Sequence, residues 1–252
     1  DMTLGGQEMY GHIDHVYLDL SDEIKIGPNK STKTLKEELE VKFPDIEFIN
    51  VYSYITAFRM VKDNNEVNEL SEAINATNLG INDLLNRLKN GVYEYELNYR
   101  FEYYGKLHGR RELAFNTIVA AGKDATILHH PTAQQDKMIE SGELVLFDLG
   151  YRHHGYCADI SRTYPVNGTF TSEQKLIYQA VLNTNKKVIE YARPGLKIAD
   201  LQDYAKKLLK EECLKARLIK EDEDITKYYI HNVSHHLGLD THDCSDRSMP
   251  LV

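Results

Sequence analysis

Asp148 and Asp159 flank a short turn segment in this chain, each beside a stretch of strand composition: Leu144-Val145-Leu146-Phe147 before it and residues 160–166 after it. A carboxylate in a segment that reads as a core strand needs a physical reason. Between the two stretches, Arg152-His153-His154-Gly155 reads as a hairpin turn, with glycine at the tight position. With the turn centred between His153 and His154, antiparallel pairing sets 149 opposite 158 and Asp148 opposite Asp159. Like charges directly opposite destabilise a sheet unless one takes a proton or cations sit between them. A second stretch, residues 229–244, gathers His231, His235, His236 and His242. Imidazole is the commonest metal ligand and carries protons near neutral pH. Carboxylates with imidazole suit Mn²⁺, Co²⁺, Fe²⁺ or Zn²⁺ in a two-metal hydrolase. Plainer readings stay open: Asp148 capping a turn, Asp159 paired with Arg162, and the histidines as an exposed loop. Asn232 removes the zinc-protease helix signature, and Val233, Gly238 and Thr241 argue against a helix there.

The elements that must position these residues follow from hydrophobic periodicity. Residues 13–20 alternate like a strand, a lysine-rich helix covers Thr32–Lys42, and 46–51 reads as a second strand. This is the pattern of the end of a small α/β domain, with a boundary expected within 53–60. Val67, Leu70, Ile74, Thr77, Ile81, Leu84 and Leu88 recur at helical spacing, with Asn90-Gly91 as the expected C-cap. A helix over Glu94–Leu107 should turn Leu97, Phe101 and Tyr104 inward. Residues 115–120 and 126–130 read as strands, and the aspartate hairpin follows. Thr171-Ser172-Glu173-Gln174 is a capping box that opens a helix, which Arg193-Pro194-Gly195 stops. Another helix is expected over 198–212, and a strand over 228–233. The order predicts an α+β layer fold, an antiparallel sheet with helices on one face.

Composition narrows the classes. A chain of 252 residues, 42% hydrophobic and 27% charged, is ordinary for one or two globular domains. A net charge of −9 argues against nucleic acid as a partner. No apolar run is long enough for a membrane span, and Asp1 to Gly6 lack signal-peptide character. Cys157, Cys213 and Cys244 have no paired spacing, which suggests a reducing, cytoplasmic setting. Starting on Asp1 and stopping at Met249-Pro250-Leu251-Val252, the chain is expected to be a fragment.

Three stretches resemble one known family in order: "NTIVAAGKDATILHH", "FDLGYRHHGYCADISRTYPVNG" and "HNVSHHLGLDTHD". They resemble the pita-bread metallopeptidases, most closely the Xaa-Pro branch of aminopeptidase P and prolidase; Arg162-Thr163-Tyr164-Pro165 follows that proline-specific pattern. The resemblance implies a pita-bread domain over 57–252, incomplete at its C-terminus, after the C-terminal part of an amino-terminal α/β domain over 1–56. It implies a dinuclear exopeptidase that cleaves peptides with proline at the second position. Two divalent ions are implied, manganese first, with cobalt and zinc as alternatives. Asp148 resembles the aspartate that holds one ion, Asp159 the aspartate that bridges both, and His235 the imidazole ligand. His129 resembles a substrate-contacting histidine, and His242 one that moves a proton and holds the tetrahedral intermediate. His231 resembles a residue lining the same pocket. His130, His153, His154 and His236 match no role and read as turn or packing residues. The family adds two glutamates after the histidine motif, so the chain alone is expected to bind metal weakly and hydrolyse nothing. The full-length protein is expected to be a homodimer, with no nucleic-acid or membrane partner. Prolidase and a non-catalytic pita-bread binding module are the alternatives. A creatine amidinohydrolase is a further rival, disfavoured because it would not need Asp148, Asp159 and His235.

Overall fold

The computed structural model describes residues 13–21, 25–27, 30–109, 111–132 and 136–252. Contacts divide the chain into two units, one ending at Val61 and one beginning at Lys62. In the first unit, β1 (His15–Leu18), β2 (Lys25–Gly27) and β3 (Lys30–Ser31) lead into α1 (Thr32–Lys42), β4 (Glu47–Asn50) and α2 (Tyr52–Met60). β1 and β4 pair in parallel, while β2 and β3 pair antiparallel. Ser31 caps α1 by accepting from the Thr34 amide. The boundary expected at 56/57 falls inside α2, because the stretch 53–60 is helical. The expected features of Asp1 to Gly6 lie outside the described residues.

The second unit opens with α3 (Asn64–Leu85) and α4 (Glu94–Leu107). Asp63 caps α3 by accepting from the Asn65 and Glu66 amides, and the Glu66 side chain reaches back to the Asp63 amide. The face that α3 buries is Ala73, Thr77, Gly80, Ile81 and Leu84. Val67, expected on that face, is exposed, and the helix ends at Leu85, before Leu88. Gly91 is therefore not a C-cap; it sits at a positive-φ turn where its amide donates to the Ile139 carbonyl. α4 buries Leu97 and Phe101 as expected, but Tyr104 stays half-buried, and Glu94, Asn98 and Gly105 complete the inner face.

Against these helices lies a three-stranded antiparallel sheet in the order β5 (Ile118–Ala121), β6 (Leu144–Leu149), β9 (Ile160–Pro165). Val145, Phe147 and Leu149 of β6 are fully buried, in one core with Ile81, Leu84, Leu97, Phe101 and Val119. Strand alternation then sends Leu144, Leu146 and Asp148 to the other face. β6 and β9 are joined through β7 (Arg152–His153) and β8 (Tyr156–Cys157). The turn is His154-Gly155, both at positive φ, as a two-residue turn between twisted strands requires. Tyr151 sits beneath it, stacked on Phe101 at 4.1 Å, with its hydroxyl donating to the Phe101 carbonyl.

Two expected strands do not form. Over 126–130 the chain makes a 3₁₀ turn (Asp124–Thr126) and then a bend with His129 at positive φ. Over 228–233 a side chain takes the place of a strand partner: Gln202 accepts from the Val233 amide and donates to the His231 carbonyl.

α5 (Ser172–Tyr191) and α6 (Ile198–Lys215) pack on each other through Val188, Leu201, Ala205 and Leu208. The Thr171–Gln174 capping box forms as expected. Glu212 of α6 accepts from Asn183, Lys187 and Lys215, and these bonds hold its carboxyl down to about 2. A carboxyl depressed on folding stabilises above its unfolded pKa, and that contribution is lost as pH falls through the folded value. Wild-type protein should therefore lose its stability margin over Glu212→Gln between pH of about 4.5 and about 2. The margin at neutral pH is about 1 kcal/mol, since both lysines are exposed to solvent. Urea midpoints of the two proteins from pH 7 to 3 measure it, and parallel curves would remove this role for Glu212. Among the described residues, no helix is long and apolar enough to cross a membrane.

Candidate metal centre

β6 and β9 pair with Asp148 opposite Ser161 and Leu149 opposite Ile160. The expected direct opposition of Asp148 and Asp159 is thus wrong by two residues, because the turn centres between His154 and Gly155. A two-residue shift preserves the face, so Asp148 and Asp159 become diagonal neighbours on the side of the sheet away from the helical core. Ser161 Oγ donates to Asp148 Oδ1 at 2.8 Å. Burial pushes the Asp148 carboxyl up, the Ser161 bond opposes this, and the neighbouring Asp159 charge raises it further.

The loop after 228 brings the histidines to this face. His235 Nε2 lies 2.9 Å from Asp159 Oδ2, and its Nδ1 lies 2.9 Å from the His236 carbonyl oxygen. A carbonyl only accepts, so it fixes the proton on Nδ1 and leaves Nε2 as the atom presented to the carboxylates. The Asp159 hydrogen bond raises the pKa of His235, the pairing a carboxylate and an imidazole adopt when a proton stands where a cation could. The His242 ring meets His235 edge-on at 4.3 Å, and burial lowers its pKa. Asp159, His235 and His242 each offer a ligand atom within 4.8 Å of the others. The donor set of adjacent carboxylates and a presented imidazole nitrogen fits divalent metal ions.

His129 and His231 are exposed and make no direct bond to this cluster among those described. Both act on it electrostatically, His129 on His242 and His231 on His242 and Asp148. The structure therefore gathers Asp148, Asp159, His235 and His242, with the two remaining histidines at its margin.

The histidine loop is clamped by contacts that sequence reading did not find. Asp243 is buried and pairs with Lys62 at 2.9 Å, a partner far away in the chain. A Cβ on Gly238 would lie 2.3 Å from Asp243 Oδ2, so glycine is required for that approach. The Gly238 carbonyl accepts from the Cys157 amide, and Thr241 Oγ1 donates to the Ala114 carbonyl. A second group, Glu69 with His153 and His154, also converges on one carboxylate oxygen. The Arg111 guanidinium meets His153 on its other nitrogen, Nδ1, away from Glu69.

The sequence profile of metallopeptidase family M24 matches residues 68–251. The chain is 32% identical over 217 residues to the Xaa-Pro aminopeptidase of Haemophilus influenzae, covering 83% of this chain and 50% of that protein. A Bacillus anthracis structure, solved as a candidate aminopeptidase P, is 43% identical with a TM-score of 0.88. It is matched over 95% of this chain and 57% of its own. The Escherichia coli aminopeptidase P with the inhibitor Pro-Leu gives 27% identity and a TM-score of 0.80, over 95% of this chain and 57% of its own. The chain spans about half the length of the curated relatives it matches.

Proposed function

This chain belongs to metallopeptidase family M24, and on that premise we propose that it carries catalytic residues of a dinuclear exopeptidase that hydrolyses the Xaa-Pro peptide bond. The observation that carries the reading is the placement of Asp148 and Asp159 on one sheet face with His235 Nε2 turned to them. Asp148, Asp159 and His235 are the residues that would hold the ions, with Mn²⁺ preferred and Co²⁺ or Zn²⁺ accommodated. When bound, the ions supply Lewis-acid polarisation of the scissile carbonyl and lower the pKa of the attacking water. Ser161 holds Asp148 in the orientation its hydrogen bond sets. The carbonyl of His236 keeps His235 in one tautomer. His242, with its lowered pKa, is neutral near pH 7 and can accept a proton or donate one to developing negative charge. His129 would contact the peptide, and His231 would line the same pocket. The N-terminal residue of a substrate with proline second is released.

Incubating the metal-loaded full-length protein with Xaa-Pro-Yaa peptides and matched Xaa-Ala-Yaa peptides tests this. Release of the first residue from the proline series only is expected. Equal cleavage of both series, or of neither, overturns the proposal.

The histidine roles separate by variant. His235→Ala should lower bound metal. His242→Ala and His129→Ala should keep the metal and lose about 10²–10⁴ in kcat, the range of a positioned acid or base. Metal loss in His242→Ala would show that ligand and proton carrier have been exchanged.

A further inference from the structure

His129 carries a feature that its exposed surroundings do not explain. Its φ is 54°, the left-handed region that costs a non-glycine residue about 1–3 kcal/mol unless surrounding contacts enforce it. The residues before it, 126–128, are exposed, and Pro131 after it is exposed too. Only His130 and Thr132 go inward from this segment, at 4% and 1% exposure. Thr132 Oγ1 donates to the Val119 carbonyl and accepts from the Val119 amide, closing the outer edge of β5. His130 Nε2 lies 2.9 Å from Glu94 Oε2. The other oxygen, Glu94 Oε1, accepts from the Ala121 amide at 2.6 Å. One turn further along α4, Asn98 donates to the Thr117 carbonyl. Glu94 and Asn98 thus take the place of a neighbouring strand along β5.

Glu94 is completely buried, so its charge requires compensation. His130 supplies a donor, yet its Nδ1 is buried with no hydrogen-bond partner. A buried N–H without an acceptor is costly, so the proton belongs on Nε2, facing Glu94. Asp124 Oδ2 stands 3.9 Å from the same nitrogen. The three groups could be mistaken for a metal site, but both Glu94 oxygens are already used, one by a backbone amide.

We propose that Glu94 and His130 form a buried latch whose task is to hold His129 in its left-handed conformation at the mouth of the metal centre. His130 and Glu94 are positioning residues: they touch no substrate and act through the backbone of His129. This rests on the reading of His129 as a peptide-contacting residue. The latch ties the loop to α4 and to the edge of β5, so the strain at His129 is balanced by burial one residue away.

The test compares His130→Leu with His130→Gln in the metal-loaded full-length protein. Gln keeps an N–H donor at similar reach and carries one acceptor oxygen in place of the acceptor Nδ1; Leu keeps bulk and removes the donor. His130→Leu should lose about tenfold or more in kcat on an Xaa-Pro-Yaa peptide, the scale of a small misplacement. Its metal content should stay at the wild-type level, and the imidazole ¹⁵N resonances of His129 should shift. His130→Gln should return kcat to within about threefold and restore the His129 resonances. Equal losses in both variants, or no loss in either, would overturn the latch, because packing alone or nothing at all would then be at work. In the wild-type protein, which needs no variant to fold, the His130 Nε2 proton should exchange slowly with solvent; rapid exchange also overturns the proposal. Absence of Xaa-Pro cleavage by wild-type protein would instead defeat the proposed activity, and the resonance and exchange measurements would still decide the latch.

Discussion

Asp159→Asn is expected to abolish metal binding and to lower Xaa-Pro hydrolysis by more than about a thousandfold, or about 4 kcal/mol of transition-state stabilisation. Asp159 is the one carboxylate that touches both other members of the proposed ligand set. Its Oδ2 is 2.9 Å from His235 Nε2, and its charge acts on Asp148. Asparagine matches its shape but brings no charge, and its amide would present a donor or a weaker acceptor to the same positions. Folding should survive, since the Asp159 side chain contributes no core packing and one like-charge repulsion with Asp148 disappears. The Asp148 carboxyl should remain above the usual range, because burial is its largest cause. Elemental analysis of dialysed protein, initial rates, and thermal melts of wild type and variant measure the three effects. A variant that keeps two tightly bound ions per chain would end the bridging assignment of Asp159.

Gly150→Ala is expected to unfold the centre from beneath, with a loss of more than about 3 kcal/mol in stability. A Cβ at position 150 would lie 1.9 Å from the carbonyl oxygen of Ala158. That atom is backbone, on the opposing arm of the hairpin, so no side-chain rotation relieves the contact. The Gly150 carbonyl also accepts from the Ala114 amide, which limits how far the strand can move away. The hairpin must therefore open between Asp148 and Asp159, the interval that sets their spacing. The urea midpoint should fall sharply with an unchanged slope, and any folded fraction should bind metal weakly. A variant within about 1 kcal/mol of wild type would mean that this hairpin tolerates a wider separation than the structure has.

The sequence by itself determined what local sterics and hydrophobic period encode. The apolar run 144–147 marked a core strand and made Asp148 conspicuous at its end, whereas the burial of Val145, Phe147 and Leu149 on one face came only with the fold. The Thr171 box fixed the start of α5, because its hydrogen bonds close within one turn. Residue type alone marked the cluster His231, His235, His236 and His242 as chemistry-bearing, and only the family resemblance singled out His235 and His242 within it. The face shared by Asp148 and Asp159 was legible, since any even register preserves it. Their actual partners were read two residues off, because the register depended on whether His153 or Gly155 joined His154 in the turn. The segments 126–130 and 228–233 have strand composition, but their backbone groups are bound by Thr132, Gln202 and neighbouring turns. Only the tertiary structure could bring Lys62 to Asp243, or fold Glu94 of α4 under Ala121 and His130. Buried charges are tolerated only where distant groups compensate them, and the choice of those groups is made by the packing of the whole core rather than by neighbours in the chain.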